Sequence, residues 1–287
     1  MKSNLKVWTG LGLATALVGA GLSGCAGEVS EGGEGDETAV AGEAGEGEGG
    51  EGEGEGGEGE GGEGEGGEGE GGVSVADAST DAVVYGSALA IVEAHAIAAR
   101  DAYAVGRTEE AAEMFGHPVS EVLADMDPVF EQLGVADFKS AMNDASAEAL
   151  KSDNEAGVES AYNTILAALE GAGEKAPASD LSDGAVAAGI VADQIGRAAT
   201  MYGQAVSQDI YPPYLDGYGF YKAAASEFER SGAAIKTYNS GLHNDIESAL
   251  SVLAGAYPGA EKPDNLDAEP GKLLGASSKV NLGLPTP

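Results

Sequence analysis

Apolar residues recur at intervals of three and four along most of residues 80–256, which is the spacing of one face of an α-helix. The clearest stripe consists of Tyr85, Leu89, Val92, Ala96, Ala99 and Tyr103. It predicts a long helix from about Thr80 to Val105, with Asp81 at its positive end and Gly106 directly after it.

The same periodicity predicts further helices along the chain. They cover 108–133 with an interruption at Pro118, 136–150, 155–170, 185–204, 215–230 and 233–256. No segment of any length alternates apolar and polar residues as a half-buried strand does. The predicted fold is all-α, a helical bundle of six to seven helices over 73–257, in two antiparallel halves that meet near residue 180. Five prolines and little periodicity in residues 258–287 predict an irregular C-terminal tail.

Residues 26–72 have a different composition, with 17 acidic residues, no basic ones and repeated Gly-Gly-Glu-Gly-Glu units. Such a segment offers too little apolar surface to offset the entropy of ordering a glycine-rich chain. We therefore expect a disordered acidic tether over 25–72.

The N-terminus carries Lys2 and Lys6, then an apolar run over 7–21 that is too short for a membrane span. The run ends in Leu22-Ser23-Gly24-Cys25, which resembles the lipobox of bacterial lipoproteins. The resemblance implies a signal peptide over 1–24, a lipid on Cys25 (the only cysteine) and anchoring to a membrane. In a Gram-negative cell it implies the outer membrane, with the domain facing the periplasm or the exterior. The alternative is an ordinary signal peptide with a chance cysteine.

The net negative charge and the absence of common catalytic motifs exclude several classes of function. From Val73 onward the chain has 32 acidic and 12 basic residues. Because contacts to phosphates need lysine and arginine, nucleic acid is not an expected partner. The chain lacks the metalloprotease, P-loop, dinucleotide-binding and nucleophile-elbow motifs. These absences favour a non-enzymatic role.

Three histidines are the candidate metal ligands. On a continuous helix, His117 would share one face with Glu113 and Glu121, a suitable ligand set for iron, zinc or manganese. Further candidates from facing helices are His95, His243 and Glu247. Each candidate also has an interpretation without metal. His95 could be an ordinary histidine of the core, and the other residues could lie on a solvated helix face or cap a helix.

An aromatic segment at 211–221 offers a second candidate site. Its members are Tyr211, Tyr214, Asp216, Tyr218 and Tyr221. Phenolic oxygens and Asp216 could ligate ferric iron, or the rings could dock a protein or a glycan. Alternatively, the tyrosines pack between helices while their hydroxyls reach water.

Two short segments resemble families of bacterial iron uptake. Gly116-His117-Pro118-Val119-Ser120-Glu121 resembles the Gly-x-His-x-x-Glu motif of imelysin-like periplasmic proteins, although its spacing differs. Tyr214-Leu-Asp-Gly-Tyr218 is similar to a Tyr-Leu-x-Gly-Phe stretch in periplasmic domains attached to iron permeases. The resemblance implies an anchored protein that binds iron or another divalent transition metal and serves a metal transporter or other envelope protein. The alternative is a structural or partner-binding lipoprotein without metal.

Overall fold

The computed structural model describes residues 72–285, and within them every helix-forming segment is α-helical except for one π-helical turn. The helices are α1 (Val75–Ala78), α2 (Ala82–Ala104), α3 (Thr108–Pro118), π1 (Val119–Leu123), α4 (Ala124–Leu133), α5 (Lys139–Ala149), α6 (Glu155–Gly173), α7 (Asp183–Gln208), α8 (Pro212–Tyr238), α9 (Ser240–Ala256) and α10 (Pro270–Asn281). The described part contains no strand, so the prediction of an all-α fold is confirmed. The signal peptide, Cys25 and the tether up to residue 71 lie outside the described residues.

Helix α2 is the central element. Asp81 caps it, because its Oδ1 accepts hydrogen bonds from the backbone N–H groups of Val83 at 2.7 Å and Val84 at 3.2 Å. Gly106 ends it with a φ of +84°, a conformation that glycine adopts without strain. By length and composition α2 could cross a membrane, yet 83% of its most apolar window is buried inside the protein. It is therefore the core helix of this domain.

The remaining helices form two groups around α2. In the first group α3 and α6 pack against α2, and α5 packs against α3 and α6. In the second group α7, α8, α9 and α10 pack together. Helix α2 also packs against α7 and α8, so it belongs to the interface between the groups. The boundary between the groups is the connection from α6 to α7, and the sequence predicted that two halves meet near residue 180.

The C-terminal tail differs from the prediction of an irregular segment. Pro270 begins α10, a position where its missing N–H removes no helical hydrogen bond. Leu273, Ser277 and Val280 are buried on one face of this helix, which packs against α7 and α9. The prediction was wrong here because a proline that begins a helix was interpreted as a sign of irregular structure.

The boundary between α8 and α9 also differs from the prediction, which ended the first helix at residue 230. Helix α8 continues through Ser231 and Gly232 to Tyr238. The buried Ser231 hydroxyl donates to Glu227 Oε1 at 2.5 Å within the helix. Asn239 makes the real boundary, because its Oδ1 accepts from the N–H groups of Gly241 and Leu242 at 3.0 and 3.1 Å.

Candidate metal centre

Three possible metal ligands from three helices meet at the interface between the two helix groups. They are His95 of α2, His117 of α3 and Asp216 of α8, and one ligand atom of each lies within 4.8 Å of the others. His95 and Asp216 are 1% and 2% exposed, and His117 is half-buried. Ligand bonds of about 2 Å hold two ligand atoms of one ion roughly 3–4 Å apart, so a small contraction would complete the site.

The hydrogen bond of His95 determines which ring nitrogen can bind a metal. Nδ1 lies 2.8 Å from the carbonyl oxygen of Ile91, which can only accept, so Nδ1 carries the hydrogen. In the neutral ring the lone pair is then on Nε2, which lies 3.9 Å from Asp216 Oδ1. Nε2 is buried and makes no hydrogen bond to any described residue. A ring held by an Nδ1–H bond to a carbonyl is the usual arrangement of a ligating histidine.

The surroundings of His95 keep the ring neutral. The pKa of His95 is lowered to about 4, mainly by burial and to a smaller extent by the nearby His117 and Arg197, against the opposing effect of the Ile91 hydrogen bond. The His95 and Phe220 rings form a T-shaped contact, with 5.7 Å between ring centroids and an interplanar angle of 86°. A neutral imidazole at physiological pH is the form that ligates a metal ion.

His117 reaches the same point from the end of α3. Its ring centroid lies 6.1 Å from that of His95, and its Nδ1 is buried without a hydrogen bond to any described residue. Pro118 follows at once, and the backbone continues into π1, where the N–H of Ala124 donates to the carbonyl of Val119 five residues earlier. Single π-helical turns of this kind occur frequently at functional sites.

The π-helical turn corrects the predicted stripe of ligands around His117. That stripe assumed a continuous α-helix, but a π-helical turn holds more residues and changes the direction of the side chains that follow. Glu113 is exposed, whereas Glu121 is half-buried with its Oε2 inside the protein. Neither belongs to the three-residue group around His95.

His243 and Glu247 belong to a different part of the fold. The His243 ring packs against Phe228, with 4.9 Å between ring centroids, and Glu247 is exposed on α9. The structure does not bring either residue into the group formed by His95, His117 and Asp216.

The aromatic segment is an internal packing unit rather than an exposed surface. Tyr214 and Tyr218 are buried, and their hydroxyls donate to the Gly259 carbonyl at 2.8 Å and to Asp101 Oδ2 at 2.7 Å. The half-buried Tyr211 donates to the carbonyl of Ala260 at 2.8 Å. The bonds of Tyr211 and Tyr214 attach the segment after α9 to the start of α8, and the bond of Tyr218 joins α8 to α2.

The burial of the aromatic segment bears on both of its predicted roles. Burial raises the pKa of Tyr211 to about 12 and raises the pKa of Tyr214, Tyr218 and Tyr221 as well. The hydroxyls of Tyr211, Tyr214 and Tyr218 are engaged with protein oxygens, and none of these tyrosines belongs to the three-residue group around His95. The burial of Tyr214, Asp216 and Tyr218 leaves too few exposed rings for docking a protein or a glycan.

Some site residues were not recognised in their role from the sequence. The sequence grouped Asp216 with the tyrosines of the aromatic segment as a possible iron ligand, whereas in the structure its carboxylate lies near His95. The available signal was that Asp216 is the only charged residue between Tyr214 and Tyr221. Phe220 and Arg197 carry no local signal, because their positions near His95 depend on the packing of α7 and α8 against α2.

Comparison of the chain with protein-family models, with curated proteins and with solved structures found no match. The function is therefore inferred from the geometry of this centre and from the features of the sequence.

Proposed function

We propose that the helical domain binds one divalent transition-metal ion between His95, His117 and Asp216, and that the protein holds or delivers this metal at the bacterial envelope. The observation that carries the proposal is the buried Nε2 of His95. It is directed toward Asp216 at 3.9 Å and lies beside a second imidazole.

The ligand types indicate the class of metal. Two imidazoles and one carboxylate suit iron, zinc and related ions, and a set of two histidines and one carboxylate is typical of Fe(II) sites with open positions. Calcium prefers six to eight oxygen ligands, which this group does not offer. We therefore propose iron as the metal, with water completing its coordination.

The N-terminal features support a location at the envelope. The lipobox at 22–25 and the acidic tether would hold the domain near a membrane, where it could pass metal to a transporter or another envelope protein. The resemblance of residues 116–121 to the imelysin-like motif agrees with this role, because His117 belongs to the three-residue group.

Calorimetry of the purified protein with Fe(II), Zn(II) and Ca(II) tests the proposal. We expect one tight site for iron or zinc, and His117→Ala should weaken it by more than the 10–100-fold typical of lost supporting contacts around a metal. His243→Ala is the matched control, since it removes a half-buried histidine outside the group.

Calcium is the reference ion because an acidic chain of net charge −35 will attract any divalent cation. Equal iron binding by the wild type and His117→Ala would contradict the proposal, as would iron and zinc binding no tighter than calcium. Asp216→Asn provides a second test, because it removes the carboxylate while keeping the size of the side chain.

A further inference from the structure

A cavity lies between α2, α7 and α8, close to the end of α6. About 530 Å³ of space lies within the cavity and its open mouth together. Its walls are mainly small and aliphatic, with contributions from Ala82, Leu89, Ala90, Val186, Ala187 and Ile190. Tyr85 also lines it, but the Tyr85 hydroxyl already donates to the Ala172 carbonyl at 2.8 Å. Most of the wall therefore suits an apolar ligand body.

One side of the cavity carries buried charges. Arg230 binds Glu93 with two parallel hydrogen bonds, Nη1 to Oε1 and Nη2 to Oε2, both at 3.0 Å. The same guanidinium donates to Glu227 Oε2 from Nη2 at 2.9 Å and from Nε at 3.2 Å. Two buried carboxylates thus share one cation. Asp183, which is exposed at the start of α7, adds a third acid to the lining.

The lining is consequently short of positive charge. Its ionisable residues, tyrosine aside, are Glu93, Asp183, Glu227 and Arg230, so the formal balance is one positive and three negative charges, or −2. Each buried carboxylate also has an oxygen that accepts only one hydrogen bond from the described residues. These oxygens are Glu93 Oε2, bound by Arg230, and Glu227 Oε1, bound by Ser231. A carboxylate oxygen can accept about two hydrogen bonds, so the wall can receive further donors.

This cavity is separate from the candidate metal centre. Asp216 and Glu227 are 11 residues apart on α8, or about 16 Å along the helix axis. Glu93 and His95 are only two residues apart on α2, but their side chains leave the helix in directions about 200° apart. Ligand binding in this cavity therefore does not depend on whether His95, His117 and Asp216 bind a metal.

We propose that this cavity binds a small amphipathic cation, a primary alkylammonium, with the ammonium group at Glu93 and Glu227 and the alkyl chain along the aliphatic wall. A primary ammonium has three donors and one positive charge, which match the unfilled acceptors and the charge balance. An alkyl chain covers the apolar wall and excludes water from it. An alcohol lacks the charge, and a carboxylate adds to the negative potential.

Calorimetry of the purified full-length protein with three five-carbon probes tests this inference: n-pentylammonium, 1-pentanol and pentanoate. Measurements at about 0.15 M NaCl with a chelator limit non-specific attraction and remove metal. Hydrogen bonds to charged groups correspond to about a tenfold or greater affinity gain, so n-pentylammonium should bind at least about tenfold more tightly than 1-pentanol. Pentanoate should bind most weakly, and ammonium chloride should not displace n-pentylammonium.

Variants locate the binding within the cavity. Glu227→Gln should reduce n-pentylammonium affinity to that of 1-pentanol, whereas Glu229→Gln, at an exposed position of the same helix, should leave it unchanged. Ala90→Leu should weaken both probes by filling the cavity from an uncharged wall. Circular dichroism and thermal unfolding check that each variant folds. If Glu227→Gln fails to fold, the comparison of the three probes on the wild-type protein still tests whether the cavity prefers an alkylammonium.

Three outcomes would overturn the inference. One is equal affinity for n-pentylammonium and 1-pentanol, and another is an equal loss in Glu227→Gln and Glu229→Gln. The third is the absence of n-pentylammonium binding in the wild type.

Discussion

Gly219 of α8 lies directly against the backbone of Ala94 on α2. A Cβ atom at position 219 would be 2.5 Å from the Ala94 carbonyl oxygen and 3.0 Å from Ala98 Cβ, closer than a side chain tolerates. Asp216 lies one turn before Gly219, and His95 directly follows Ala94. The close approach of these two backbones therefore also brings the Asp216 carboxylate to 3.9 Å from the His95 ring.

Gly219→Ala should lower the free energy of unfolding and weaken metal binding. Overpacking typically costs about 1–3 kcal/mol, which the better helix propensity of alanine offsets by at most about 1 kcal/mol. Denaturant unfolding and calorimetry measure the two effects. Gly203→Ala on α7 is the control, because no atom lies within 4 Å of a Cβ placed there. It should be neutral or slightly stabilising, and a Gly219→Ala variant that behaves like it would contradict the prediction.

The protonation of His95 should make stability depend on pH. The pKa of His95 is about 4 in the folded protein and about 6.5 in the unfolded chain. Between these values the unfolded chain binds a proton that the folded state excludes, so the free energy of unfolding falls as pH decreases from 6.5 to 4. A difference of about 2.5 pKa units corresponds to roughly 3 kcal/mol.

His95→Asn tests this dependence, because asparagine does not titrate and keeps an N–H donor for the Ile91 carbonyl. Urea unfolding with a chelator, repeated between pH 7 and 4, should give a flatter curve for the variant than for the wild type. Comparing the two curves removes the contribution of the carboxylates, which titrate in both proteins. Parallel curves would show that His95 is not buried as a neutral ring.

Arg230→Met should destabilise the protein strongly. The change leaves Glu93 and Glu227 buried without the guanidinium that binds both, and breaking a buried ion pair typically costs about 3–5 kcal/mol. Lys236→Met, at an exposed position near the end of the same helix, should change stability by no more than about 0.5 kcal/mol. Similar unfolding midpoints for the two variants would argue against a structural role of the ion pairs.

Cys25→Ser should prevent lipid attachment, because serine has no thiol to alkylate. Intact-mass spectrometry of the wild type should show a mature N-terminus at Cys25 that carries acyl chains. The variant should remain unprocessed or leave the membrane fraction. An unacylated wild-type protein with a different N-terminus would refute the assignment of the lipobox at 22–25.

Local patterns predicted the elements whose causes lie within a few residues. The stripe from Tyr85 to Tyr103, together with Asp81 and Gly106, placed α2 close to its observed bounds. Apolar spacing, a capping side chain and a helix-ending glycine act over one or two turns, so they can be interpreted without knowing the fold. The same reasoning identified a break at Pro118 and proposed His95 and His117 as ligands.

Only the tertiary structure decided which of these residues meet. His95, His117 and Asp216 are far apart in the chain, and their separation in space depends on the packing of α8 against α2 at Gly219. The burial of Tyr214 and the docking of α10 likewise depend on long-range contacts. Sequence periodicity specifies which face of a helix is apolar, but not which other helix covers that face. The sequence alone therefore determined the helices and the candidate ligands, whereas the packing of the two helix groups determined the site.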